Sequence, residues 1–301
     1  MRWAAAAMLS SASFASADNS DSEEKEPPCW KIGIYTRPWD KFDYKVALDS
    51  MVEAGFKYVG LMNTKPAANE GWRFIITRFT TPEEALQVGQ EVKKRGLEVL
   101  SIYGHEIPIQ DSLEAGIKGL KRIIDNCTAC NADNLLMGGV TDEKIYSVYY
   151  KAFAECCDYA MEKGIGISIK PHGGLNATGL QCRKIVQMVK HKNFGIWYDP
   201  GNIYYYSDGK RSPVLDAADV DGLVMGMSVK DYLHPKNVLV TPGDGKVDFP
   251  AVMWRLQKGG FKAGPLVIEC LKPGNLKEIT AQARKGRLFL EELTQSLKQI
   301  S

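Results

Sequence analysis

Short runs of apolar residues at period two alternate along the chain with longer stretches whose apolar positions recur every three to four residues. The alternation is sharpest between Gly164 and Asn202. There Ile165, Ile167 and Ile169 alternate with Gly166, Ser168 and Lys170, which puts the isoleucines on one face of a strand and Lys170 on the other. Pro171-His172-Gly173-Gly174 ends that strand. Thr178 and Gln181 have capping-box spacing, and Cys182, Ile185, Val186 and Val189 make a helical stripe. A second strand, Phe194 to Tyr198, stops at Asp199-Pro200-Gly201-Asn202. A strand–helix–strand unit of this length joins parallel strands, and functional groups collect at its strand C-terminal ends. Lys170, His172, Asp199 and Asn202 all fall there.

The same reading predicts further strands at 31–35, 58–62, 98–103, 134–137, 223–230 and 265–269. Helices are predicted near 44–54, 113–126, 142–163 and 276–298, with others opening at Thr81-Pro82 and at Asp248. Residues 63–80 read as a long loop that carries Trp72, Arg73 and Arg78 over the mouth, and Tyr204 to Tyr206 read as loop. Eight strands alternating with helices predict a single (β/α)8 TIM barrel.

The N-terminus stands apart from this pattern. Arg2, a short apolar run to Leu9 and Ala15-Ser16-Ala17 have the form of a secretory signal peptide, and Asp18 to Pro28 form an acidic linker. The expected organisation is a signal peptide at 1–17, a linker at 18–28 and a barrel domain at 29–301, exported to the periplasm or beyond. The 301 residues are 45% hydrophobic and 25% charged, an ordinary globular balance. A net charge of +2 gives no electrostatic footprint for nucleic acid, and no apolar run is long enough to span a bilayer. Seven cysteines include a single C-x-x-C, Cys127 to Cys130; no second pair supplies zinc ligands, so it reads as core, with a disulfide open to it after export.

Strand parity brings Lys170, Asp199, Ser228, Lys230 and Glu269 to one barrel mouth. A buried carboxylate needs a compensating cation, either a dissolved ion or a lysine, and both remain open here. Asp199 and Glu269 are oxygen ligands of the kind Mg²⁺ and Mn²⁺ prefer. His172, between a proline and two glycines, and His105, after the third strand, are the mouth histidines.

Ile169-Lys170-Pro171-His172-Gly173-Gly174, Tyr198-Asp199-Pro200-Gly201-Asn202, Ser228-Val229-Lys230-Asp231, Pro242-Gly243-Asp244-Gly245 and Ile268-Glu269-Cys270 resemble the xylose isomerase-like TIM barrel superfamily of sugar isomerases and epimerases. The resemblance implies an enzyme on a sugar or keto-sugar that abstracts a proton beside a carbonyl. It also implies one divalent ion, Mn²⁺ or Mg²⁺, held by a glutamate, an aspartate, a histidine and a second glutamate. Asp199 and Glu269 match two of these, with His172 as a replacement ligand, whereas Lys170 and Ser228 stand where the other glutamate and the histidine are expected. The catalytic candidates are then Lys170, His172 and Glu269. The substrate-binding candidates are His105, Asn202, Lys230 and Trp39, with Trp72 and Tyr204 to Tyr206 as further stacking faces or as plain rim packing. Two alternatives follow from the departures: a non-catalytic carbohydrate-binding barrel in which Lys170 fills the metal site, and a keto-glycoside lyase. A DNA-repair nuclease of this superfamily, built on a histidine-rich metal cluster, is opposed by a total of four histidines.

Overall fold

The structure is a computed structural model that describes residues 29–67 and 70–298; the expected signal peptide and linker, 1–28, lie outside the described residues. Eight parallel strands close into a barrel: β1 (Trp30–Tyr35), β2 (Tyr58–Leu61), β5 (Glu98–Tyr103), β6 (Asn134–Met137), β7 (Gly166–Ile169), β8 (Phe194–Tyr198), β9 (Val224–Val229) and β10 (Gly264–Ile268). Between β2 and β5 lies a small antiparallel hairpin, β3 (Asn63–Thr64) and β4 (Arg73–Phe74). The helices are α1 (Tyr44–Glu53), α2 (Pro82–Lys94), α3 (Leu113–Ala129), α4 (Glu143–Glu162), α5 (Gly179–Val189), α6 (Pro200–Tyr206), α7 (Pro213–Asp216), α8 (Phe249–Lys258) and α9 (Leu276–Lys298).

Helix starts follow local chemistry. Capping boxes open α2 at Thr81/Glu84 and α5 at Thr178/Gln181, where each hydroxyl and each N3 side chain satisfy an otherwise orphaned backbone N–H. The period-two parity holds. Ile167 and Ile169 pack outward against the helices, while Ser168 points into the barrel and accepts from Asn134 Nδ2 at 2.9 Å. A separate inner core of Tyr35, Met62, Leu100, Tyr103, Leu136, Trp197 and Val267 fills the barrel itself. Gly226 has no side chain because the Trp197 ring occupies the space a Cβ would need.

Two predicted loops contain structure. In the first, Asn63–Thr64 and Arg73–Phe74 pair as β3 and β4, and the Tyr204 to Tyr206 segment belongs to α6. The reason for α6 lies just before the tyrosines: Asp199 is its N-cap, accepting from Asn202 N at 2.9 Å, and Pro200 presets the first turn. Cys127 lies inside α3 rather than beyond it, and all seven cysteines are free thiols, six of them buried.

Candidate functional site

The strand alternation continues for one pleat beyond the C-terminal ends of five strands. Arg37 follows β1, Lys170 follows β7, Asp199 follows β8, Lys230 follows β9 and Glu269 follows β10. Each is the next inward position, so five ionisable side chains converge on one floor at the barrel mouth. Lys170 Nζ lies 2.5 Å from Glu269 Oε2 and 3.3 Å from Asp199 Oδ2. Lys230 Nζ lies 2.8 Å from Glu269 Oε1 and 3.0 Å from the same Asp199 oxygen. Arg37 Nη1 reaches Glu269 Oε1 at 2.8 Å, and Ser228 Oγ donates to Glu269 Oε2 at 2.7 Å. Lys170 and Asp199 are wholly buried, and Lys230 and Glu269 nearly so. Arg37 is the member that meets solvent, with 32% of its side chain exposed.

With all groups ionised, three cations face two carboxylates, and the floor carries one surplus positive charge. Burial alone would raise the Glu269 carboxyl, but Lys170, Lys230 and Arg37 override it and hold the group well below the usual carboxylate range. The two ammoniums differ. Desolvation lowers Lys170 below its ordinary value despite Glu269, whereas on Lys230 desolvation is outweighed by Asp199 and Glu269 and the pKa is raised.

Above the floor stands an aromatic rim. The Tyr103 ring lies 5.5 Å from Lys170 Nζ and stacks on Phe74 of the hairpin at 5.7 Å. Phe74 also packs on His105 at 4.8 Å, and His172 lies between Tyr103 at 6.5 Å and Tyr206 at 5.8 Å. Packing in this wall and then the charges of Lys170 and Lys230 lower the His172 imidazole to about 3. The side chain nevertheless keeps solvent access at the rim. His172 is therefore neutral at physiological pH. Two cavities flank the Phe74–His105 pair, of about 740 Å³ on the α2 side and about 530 Å³ on the Tyr103 side.

Several expected roles change. Trp39 is no stacking face: it is fully buried in the outer core. The three-residue helical turn after Thr36 swings it away from the mouth. Trp72, 58% exposed beside Phe74, is the rim indole. Asn202 is buried with both amide functions engaged: Nδ2 donates to Pro171 O at 2.7 Å and Oδ1 accepts from Lys230 Nζ at 3.0 Å. It positions Lys230 and offers a substrate nothing. Glu269 accepts from four side chains and is pinned as an anion, which removes it as an acid–base group. His105 reaches the rim and both cavities. Arg37 and Tyr103 went unnoticed in the sequence; for Arg37 the signal was the inward parity of Gly33, Tyr35 and Arg37.

The divalent-ion site expected from Asp199, Glu269 and His172 does not fit these residues. Both carboxylates are already bridged by two lysine ammoniums, and His172 faces the aromatic rim. Among the described residues no group of three or more His, Cys, Asp or Glu side chains is arranged to hold a metal.

Comparison with known proteins agrees with this architecture. A family model described as xylose isomerase-like TIM barrel matches residues 48–293. Inosose dehydratase of Glaesserella parasuis is 27% identical over 164 residues, 48% of this chain and 53% of that protein. Inosose dehydratase of Klebsiella pneumoniae is 28% identical over 159 residues, 44% of this chain and 50% of that protein. These matches span about half the length of those relatives. Among solved structures, a xylose isomerase domain protein from Planctomyces limnophilus has a TM-score of 0.68 at 19% identity, covering 90% of this chain and 100% of that one. An L-ribulose 3-epimerase has a TM-score of 0.68 at 14% identity, covering 90% and 96%. At these identities the solved structures speak for the fold alone. The match over residues 48–293 spans most of the barrel, and the chain belongs to the xylose isomerase-like TIM barrel family.

Proposed function

We propose that the protein is a sugar-modifying enzyme that moves a proton at the carbon beside a carbonyl of a keto-sugar. The observation that carries this reading is a neutral, solvent-reached His172 at the edge of a buried floor with surplus positive charge. His172 is the proton carrier. The oxygen that turns anionic as the proton leaves faces the exposed edge of Arg37, backed by Lys170 and Lys230, which stabilise it as fixed charges in a low-dielectric mouth. Negative charge on that oxygen offsets the field that suppresses His172, so the imidazole grows more basic as it takes the proton. Lys170, a fully buried member of the floor, sets this field without reaching solvent.

With Glu269 pinned, one base serves the reacting carbon. Single-base chemistry suits isomerisation, or elimination in which His172 hands its proton to the departing hydroxyl, better than epimerisation between two opposed bases. Two relatives named inosose dehydratase support the elimination branch. The Ala15-Ser16-Ala17 site supports action after export. A non-catalytic sugar-binding barrel is the second reading, favoured by the complete burial of Lys170.

The test is exchange of substrate C–H for solvent deuterium, followed by NMR on inosose, D-fructose and D-tagatose. The expected result is exchange, or loss of water, with at least one keto-sugar, falling at least 100-fold in His172→Ala, since a positioned base supplies about 10²–10⁴. Binding of a sugar with no exchange in the parent protein would leave the binding barrel.

A further inference from the structure

We infer that Lys170 and Lys230 together are a built-in substitute for a divalent cation, and that Lys170 and Ser228 are the residues that keep a metal out. The inference goes beyond the sugar reading and does not depend on it.

The argument is an inventory of carboxylate oxygens. Glu269 Oε2 takes Lys170 Nζ at 2.5 Å and Ser228 Oγ at 2.7 Å. Glu269 Oε1 takes Lys230 Nζ and Arg37 Nη1, each at 2.8 Å. Asp199 Oδ2 takes Lys230 Nζ at 3.0 Å and Lys170 Nζ at 3.3 Å, and its Oδ1 takes Asn202 N at 2.9 Å. Every oxygen that a hard cation would use already faces an N–H or O–H donor. The two ammoniums bridge Asp199 and Glu269, the place a shared ion would take, and deliver the same two positive charges. They arrive from opposite sides, Lys170 after β7 and Lys230 after β9, with β8 between them. A dication entering this floor would have to expel two ammoniums that have almost no exposure, leaving them unpaired in the interior.

Two substitutions should reverse this. Lys170→Glu removes one ammonium and adds a carboxylate beside Asp199 and Glu269. Ser228→His removes the donor on Glu269 Oε2 and adds an imidazole from the same inward face. The experiment measures thermal unfolding of the full chain with 1 mM MnCl₂ against EDTA, with bound Mn²⁺ quantified by equilibrium dialysis. The parent protein is expected to show no shift and no retained Mn²⁺. The Lys170→Glu/Ser228→His variant is expected to retain Mn²⁺ and to gain about 2–4 °C or more on its addition. Should that variant fail to fold, Lys170→Gln keeps the question answerable, since losing one ammonium alone should raise Mn²⁺ retention above the parent's. A parent protein that retains Mn²⁺ near one per chain and loses it in Glu269→Gln overturns the substitute-cation assignment. Folded variants that retain no more Mn²⁺ than the parent overturn the assignment of Lys170 and Ser228 as the excluding residues.

Discussion

One pleat separates the inner plug of the barrel from its charged floor. Tyr35, Ser168, Trp197, Ser228 and Val267 lie in the barrel interior, and two residues later the same strands present Arg37, Lys170, Asp199, Lys230 and Glu269. Apart from the outer edge of Arg37, the two levels are almost equally buried, yet different forces hold them. The plug is apolar area removed from water, joined to small hydroxyls that satisfy one another, as in Tyr35 Oη donating to Ser101 Oγ at 3.0 Å. The floor gains nothing from area and exists only because every charge has an opposite charge within contact distance. Burial alone therefore says little about a residue's role. What separates packing from chemistry here is whether a group's partner is a carbon surface or another charge.

The largest expected effect comes from breaking that compensation. Glu269→Ala leaves Lys170, Lys230 and Arg37 sharing one carboxylate, and should cost about 3–5 kcal/mol. Leu100→Ala, in the plug, should cost about 2–5 kcal/mol by cavity formation. Urea unfolding at several pH values separates the two. The folded Glu269 carboxyl is held below its unfolded value, so its contribution is present above about pH 4.3 and lost as pH falls through the lower, folded value. The Glu269→Ala deficit should shrink below pH 4, and the Leu100→Ala deficit should not. Equal behaviour of both variants would erase the distinction between the layers.

A smaller effect is expected at the rim. Between about pH 3 and 6.5 folded His172 binds fewer protons than unfolded His172, so stability should fall as pH is lowered through that window. His172→Asn should flatten that slope while leaving stability at pH 8 unchanged, read from denaturant midpoints across pH 4 to 8. If the parent slope matches that of the variant, packing and the cations do not suppress His172 as described.

Much of this was legible in the sequence, because inward parity at strand ends is a period-two signal that survives without coordinates. Lys170, Asp199, Ser228, Lys230 and Glu269 were all expected at one mouth and are found there. Parity could not choose between a dissolved ion and a tethered one, because that depends on side-chain reach: a lysine stem after β7 and another after β9 span the gap between two carboxylates. Arg37 was obscured by Pro38 and by the turn behind it, and Trp39 by the fact that an aromatic after a strand reads alike on a rim and in a core. The β3–β4 hairpin, two residues per strand, is too short to carry any period. Helix α6 was hidden because three consecutive tyrosines show no stripe, although Asp199-Pro200 held its start signal.

The central claim is that the floor is stable as a mutually compensating set of protein charges. A double-mutant cycle on its shortest ion pair, Lys170 to Glu269 at 2.5 Å, tests it most directly. Urea unfolding at pH 7 of Lys170→Met, Glu269→Gln and the double variant supplies the cycle. Each single variant should lose about 3–5 kcal/mol, and the double variant, which keeps the parent's surplus of one positive charge, should lose far less than their sum. Additive losses would mean that the two residues do not compensate each other and would contradict the account.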